Sequence, residues 1–222
     1  MDWNALVLSL KLGASTVLVL LPLGLIAARA IAWRRFRGKP LLEALFALPL
    51  VLPPTVLGYY LLVAVGGQSM LGRLFEELSG HTLVFSFEGL LLASLIFNLP
   101  FAVQPMQRAY EAIAPDIRDA AAVCGMSPWQ IFRRIEIPLA WPGIVSAAVL
   151  MFAHTLGEFG VVLMVGGAIP GETQTISIAI YDRVQAFDPA GAGRMAALLL
   201  ALSLVAIAAS YFVSSRIDRR HD

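Results

Sequence analysis

Of the 222 residues in this chain, 59% are hydrophobic and only 14% are charged, and the formal net charge is +1. A soluble core of that size could not hide so many apolar side chains, so the composition excludes an ordinary soluble domain and points to an integral membrane protein, in line with a mean hydropathy of +0.78. The near-neutral charge offers no basic field for nucleic acid, and the single cysteine, Cys124, excludes both an internal disulfide and a cysteine metal cage; the three histidines are too scattered to form a metal site.

The N-terminus carries one ambiguity. Ala28-Arg-Ala30 has the small-residue pattern of a signal-peptide cleavage site, but the chain opens Met-Asp and its basic cluster follows the apolar run. That order fits a retained first span. Five segments approach the ~20 apolar residues that a bilayer crossing requires. They lie at about 5–32, 41–65, 89–107, 139–165 and 195–215. The expected fold is therefore all-α and integral to the membrane, with five transmembrane helices in a single transmembrane domain over 1–222. The run Ile176 to Ile180 is too short to cross.

Lysine and arginine placement sets the expected orientation. With the N-terminus outside, Arg29, Arg34, Arg35, Arg37, Lys39, Arg108, Arg118, Arg133, Arg134, Arg216, Arg219 and Arg220 lie inside. Only Lys11, Arg73, Arg183 and Arg194 lie outside, and the two sets account for all sixteen basic residues. The C-terminus is then cytoplasmic. Two outer loops follow. Gly66 to Glu88 is expected to hold a short amphipathic helix around Leu71 to Leu78. Gly166 to Arg194 is expected to hold a helix over Thr173 to Val184 that lies on the membrane surface or dips into it.

Within the second span, Pro49, Pro53 and Pro54 each remove a backbone donor, next to Thr55. Such breaks persist in a bilayer only where protein or water satisfies the freed carbonyls. The residues suit either a kinked helix lining a pathway or a packing kink with no contact to cargo. The fourth span carries His154 and Glu158, four residues apart and able to pair on one helical face. Gly157 and Gly160 permit close approach of another helix. An intramembrane carboxylate is costly and commonly functional. If the cargo is an anion, Glu158 suits a structural or gating role better than direct contact, because the two charges repel.

Between the third and fourth spans lies Pro115 to Pro138, the longest polar-to-amphipathic stretch. It reads as two short helices. Asp116 to Cys124 forms the first, with Gly125 just past its end. Ser127 caps the second and Pro128 takes its first position. That second helix carries Trp129, Ile131, Phe132 and Ile135 beside Arg133 and Arg134, and is expected to end at Pro138. On the cytoplasmic side, such a pair needs something to dock against. No nucleophile sits beside a base, and no phosphate loop of the Gly-x-x-x-x-Gly-Lys type is present. The chain is therefore expected to be no enzyme, and any uphill transport draws energy from a partner or an ion gradient.

This stretch resembles the signature of binding-protein-dependent ABC importer permeases, in which Glu-Ala-Ala is followed by three residues, Gly, nine residues and Ile-x-Leu-Pro. Here Asp119-Ala120-Ala121 is followed at the same spacing by Gly125 and by Ile135-Glu136-Ile137-Pro138. Asp119 replaces Glu and Ile137 replaces Leu, and both changes keep the chemistry. The resemblance implies a type I ABC importer permease fold in which 115–138 docks in a groove of a cytoplasmic ATPase. Asp119, Ala120, Ala121, Gly125, Trp129, Ile131, Phe132, Arg133, Arg134, Ile135 and Pro138 are then the coupling residues. Pro49, Pro53, Pro54, Thr55, Gly157 and Glu158 are candidate pathway or gate positions.

Further motifs are similar to the molybdate-transporting members of that family: Leu48-Pro-Leu-Val-Leu-Pro-Pro, Gly58-Tyr-Tyr-Leu-Leu, Thr155-Leu-Gly-Glu-Phe-Gly and Ile169-Pro-Gly-Glu-Thr-Gln-Thr. This resemblance implies two ABC ATPase subunits that hold ATP and Mg, a periplasmic molybdate-binding protein, a second copy of this chain, and residence in the bacterial inner membrane. The chain itself is expected to bind no cofactor or metal. Tungstate, sulfate or thiosulfate are the alternative cargoes. From other classes, an ion-coupled secondary transporter with a His154–Glu158 proton relay, or a membrane scaffold that moves nothing, remains open on the residues alone.

Overall fold

The computed structural model describes residues 2–34 and 36–218, with side chains described as far as residue 208. Of the basic residues counted above, Arg35, Arg219 and Arg220 lie outside the described residues, as does the side chain of Arg216. Every regular element among the described residues is helical.

The first helix, α1 (Trp3–Trp33), is capped by Asp2, whose Oδ1 accepts from the Ala5 N–H at 3.0 Å. Its 31 residues extend ~46 Å at 1.5 Å per residue, more than the ~30 Å of bilayer hydrocarbon. The expected second span at 41–65 is not one helix. It divides into α2 (Lys39–Val51) and α3 (Pro54–Val65), bent by 111°. The residue before a proline is driven out of the α region, and here two such residues are consecutive: Leu52 and Pro53 both have ψ of 136°. Pro49 is tolerated within α2. Helix α4 (Met70–Ser79) fills the loop after α3 where the amphipathic pattern placed it, capped by Ser69 and closed at Gly80.

The third span runs through α5 (Phe87–Phe97) and α6 (Leu99–Glu111), joined at Asn98. Next come α7 (Pro115–Val123) and α8 (Pro128–Ile131), then a π-turn over Phe132–Glu136 and α9 (Ile137–Gly157). The expected stop at Pro138 is overturned. From Pro128 to Gly157 the chain is one 30-residue helix long and apolar enough to cross a membrane. Proline lacks the N–H that a continuing α-helix directs four residues back, and its ring crowds that carbonyl. The wider π-turn before it absorbs the misfit, so the helix passes through.

The fourth span, expected to reach 165, instead breaks at Glu158–Phe159 and resumes as α10 (Gly160–Gly166). Helix α11 (Ile176–Gln185) then packs between α1 and α12 (Pro189–Asp218), burying Ile176, Ile178 and Ala179. Among the described residues four helices are long and apolar enough to span, and five spans result if the bent α2–α3 pair counts as one crossing.

Helices α1, α6 and α9 form the central bundle, around Leu20, Ala28, Ile31, Ala102, Val103, Met106, Tyr110, Ala140, Ile144 and Ala147. Lipid is as apolar as leucine, so close packing of small residues supplies the attraction. A Cβ on Gly24 would meet Met106 Cε at 2.8 Å, and one on Gly143 would meet the Pro105 carbonyl at 2.7 Å. A second cluster joins α3, α5 and α10 through Leu57, Leu61, Leu90, Phe97, Val161 and Val165. Between the clusters lies a polar seam. Thr16 Oγ1 and Ser94 Oγ are 2.6 Å apart, Asn98 Nδ2 donates to Thr155 Oγ1 at 2.9 Å, and His154 Nδ1 lies 3.3 Å from Asn98 Oδ1. Such interhelical bonds are worth ~0.6 kcal/mol each in a bilayer. Here they lock the break at Asn98 to α1 and α9.

Candidate functional site

The 115–138 stretch is built by local signals. Pro115 starts α7, and the helix ends in a Schellman turn. Gly125 N–H donates to Ala122 O at 3.0 Å and Met126 N–H to Ala121 O at 3.1 Å. Gly125 has φ of +80°, which a residue with a Cβ adopts only at a cost of ~1–2 kcal/mol. Ser127 and Gln130 then form a reciprocal capping box: Gln130 N–H donates to Ser127 Oγ at 3.3 Å, and Ser127 N–H to Gln130 Oε1 at 2.8 Å.

The surface of this hairpin is partly apolar. Val123 is 89% exposed, Trp129 65% and Ile117 43%, and Asp119, Ala120, Arg133 and Arg134 are exposed beside them. These residues are free to meet a partner. Ile131 is not: it is buried within this chain, as is Ala121. Phe132 is half-buried beneath the Arg29 guanidinium, 5.2 Å from its ring centre. Ile135 is half-buried too, so of the four apolar coupling residues expected on the second helix Trp129 alone is exposed. Val123 and Ile117 were missed because an isolated apolar residue on a short helix reads as core.

Where the hairpin meets the spans, the chain buries a carboxylate. Glu136, in the π-turn, has no exposed side-chain area. Arg29 on α1 grips it through Nε at 2.6 Å to Oε2 and Nη2 at 3.2 Å to Oε1, and Arg118 on α7 reaches Oε1 through Nε at 3.0 Å. Both guanidinia are about one-third exposed (34% and 32%). Arg118 Cζ lies 3.7 Å from the Trp33 ring centre, close enough for a cation–π contact. Breaking a buried ion pair costs ~3–5 kcal/mol, and the partial exposure of the guanidinia moves this one toward the lower end. These three residues were counted in the sequence only for charge or as spacers. Glu136 fills the variable position of the Ile-x-Ile-Pro motif, so no motif singled it out.

The proline break of span two and the break of span four come together. A Cβ on Gly160 would meet Pro54 Cβ at 2.7 Å, and one on Gly58 would meet Met164 Cβ at 2.7 Å. Pro53, Pro54 and Thr55 remain exposed at this junction. Gly157, expected to allow close approach, has nothing within 4 Å of its would-be Cβ; Gly160 makes that approach. Glu158 does not pair with His154. The helix ends between them, and Glu158 Oε1 accepts from the Val161 N–H at 2.9 Å, capping α10, while its own carbonyl accepts from Ser177 Oγ at 2.6 Å. His154 turns instead to Asn98 and stacks against Phe101, 4.3 Å between ring centres.

Residues 21–220 match the family described as the binding-protein-dependent transport system inner membrane component. The chain is 45% identical over 210 residues to the molybdenum transport system permease protein of Azotobacter vinelandii, covering 95% of this chain and 93% of that one. It is 37% identical over 219 residues to the protein of the same description in Escherichia coli (strain K12), covering 98% and 95%. A probable sulfate transport system permease protein of Chlorella vulgaris is 30% identical over 201 residues, covering 90% and 75%. Among solved structures, a bacterial ABC transporter involved in the import of the acidic polysaccharide alginate matches with a TM-score of 0.75, over 96% of this chain and 79% of that one. The same kind of transporter in complex with a pentasaccharide-bound periplasmic protein matches at 0.71. At 17% identity these two likenesses are of fold.

Proposed function

The chain belongs to the family of binding-protein-dependent transport system inner membrane components, and on that premise we propose that it is the transmembrane permease subunit of an ATP-driven importer of molybdate. It is a multi-pass protein of the bacterial inner membrane and a transport component, not an enzyme. The observation that carries the reading is the exposed hairpin 115–138 running without a stop into the spanning helix α9. A push on α8 is a push on a membrane helix.

The lever supports the following finer assembly. Two ATPase subunits, carrying ATP and Mg, dock on the hairpins of two copies of this chain. The distribution of basic residues supports a cytoplasmic hairpin and an N-terminus outside. ATP binding closes the ATPase pair and opens the spans outward, where a periplasmic binding protein delivers the oxyanion. Hydrolysis resets them inward. The meeting of the two broken spans at Pro54 and Gly160 supports a gate there, because irregular backbone at membrane depth persists where it lines a cavity or is buried in protein. The rival reading, a His154–Glu158 proton relay, finds no support in the geometry, since the two side chains serve different partners.

The test is reconstitution in vesicles with the ATPase subunit and the oxyanion-binding protein. Uptake of labelled molybdate should require ATP and the loaded binding protein, and unlabelled tungstate should compete better than sulfate. Uptake that persists without the ATPase refutes the assignment, and preferential uptake of sulfate reassigns the cargo.

A further inference from the structure

We infer that Glu136 is a positioning residue of the transport cycle, clamping the docking hairpin to the first and fourth spans so that α7 and α8 move with α1 and α9 as one body. The inference deepens the proposed function and rests on it.

The argument begins with what else could hold the hairpin. Helix α7 buries one residue, Ala121, and its packing is chiefly against α8. Among the described residues its side-chain hydrogen bonds to the rest of the chain run through Arg118 to Glu136. Helix α8 is four residues long. Beside the clamp lies a cleft of about 500 Å³, lined in part by Ile26, Trp33, Arg34, Pro128, Trp129 and Phe132. Close packing therefore does not fix the hairpin against α1 on that side, and the hairpin has space to swing.

The chain between hairpin and span also passes through a π-turn. In the π-turn Phe132–Glu136 each backbone bond spans five residues instead of four, and such turns are frequent at functional sites. A push delivered to α8 reaches α9 through this irregular turn, and a side chain that bridges it adds a second, direct connection. Glu136 sits at the end of that turn and its carboxylate bridges two elements: Oε2 accepts from Arg29 of α1, and Oε1 is shared between Arg29 and Arg118 of α7. The rings of Trp33 and Phe132 flank the guanidinia and thin the water around them, which strengthens the pairing. Two cations on one carboxylate leave one positive charge in balance. Removing the carboxylate leaves two cations facing each other, so the clamp opens by repulsion as well as by loss of bonds.

The experiment uses the complex of permease, ATPase subunit and binding protein in vesicles. Glu136→Gln should still co-purify with the ATPase and hydrolyse ATP, while molybdate imported per ATP falls roughly tenfold or more, the size of a typical coupling between sites. Arg118→Gln should act in the same direction and Arg118→Lys should retain part of the coupling. A core variant, Ile144→Ala, should lower the thermal midpoint yet leave import per ATP unchanged, which separates coupling from stability. The second readout is a spin-label distance between Gln130→Cys and Arg34→Cys in a Cys124→Ser background. It should be narrow and equal with and without ATP in the parent, and broadened in Glu136→Gln. Unchanged import per ATP in both Glu136→Gln and Arg118→Gln overturns the inference, as does a parent distance that shifts with nucleotide. If the parent complex imports no oxyanion, the proposed function fails. The clamp is then decided by the distances: a distribution broadened in Glu136→Gln upholds it, and one alike in both proteins refutes it.

Discussion

Replacing Gly160 by Ala adds one methyl group at the point where the two broken spans touch. The new Cβ lies 2.7 Å from Pro54 Cβ, and 3.6 Å from Pro54 C and Thr55 N. Real carbon atoms do not approach to 2.7 Å, and the obstacle is a rigid ring next to backbone, so α10 and α3 must part. Overpacking of this kind costs ~1–3 kcal/mol. For a protein of this length each kcal/mol moves the unfolding midpoint by ~2–4 °C. The isolated permease in detergent, followed by tryptophan fluorescence on heating, should therefore lose several degrees. Gly157→Ala is the internal control. Nothing lies within 4 Å of its Cβ, and alanine in a helix is favoured over glycine by up to ~1 kcal/mol. Its midpoint should stay level or rise. Import should fall for Gly160→Ala, because the displaced junction carries the proposed gate. A Gly160→Ala protein that melts with the parent, or a Gly157→Ala protein that falls equally far, refutes the placement of the close contact.

Three other outcomes follow from single observations. Cys124 is the chain's one cysteine and is exposed, so a membrane-impermeant maleimide should label it in inside-out vesicles and not in right-side-out ones; the reverse pattern overturns the orientation. Glu158→Ala should cost ~0.5–2 kcal/mol through the lost cap on Val161 N–H. Glu158→Gln keeps an acceptor there and should preserve both stability and the order of preference among molybdate, tungstate and sulfate; a changed order would make Glu158 a cargo contact. Asp188 caps the start of α12, and the Gly191 N–H, with the Arg183 guanidinium second, holds its carboxyl below the usual range. A depressed folded value means the cap is present at neutral pH and lost as pH falls through that value. The protection of the Gly191 amide, taken relative to its intrinsic exchange rate at each pH, should therefore fall in acid in the parent and lose that pH dependence in Asp188→Asn.

The sequence by itself determined the elements whose causes are local. Apolar runs marked the spans, Gly125 and Ser127 marked the turn and cap of the hairpin, and the spacing from Asp119 to Pro138 marked the family resemblance. Each depends on residues within a few positions of one another, so composition and spacing suffice. The proline cluster announced a break near Pro53, but its direction and the 111° bend depended on what α3 packs against. Pro138 looked like a stop because the local rule is strong. It became a passage because a π-turn costs less than ending a helix that the bundle already holds on three sides. His154 and Glu158 looked like a pair at helical spacing. The helix ended between them, and the buried amide of Asn98, 56 residues away in sequence, took the histidine. Glu136 is the furthest case. Its partner Arg29 lies 107 residues away, and no pattern of period or spacing relates two charges at that distance. Only the packing of α1 against α9, set by small residues along both, brings the carboxylate between the two guanidinia and out of water.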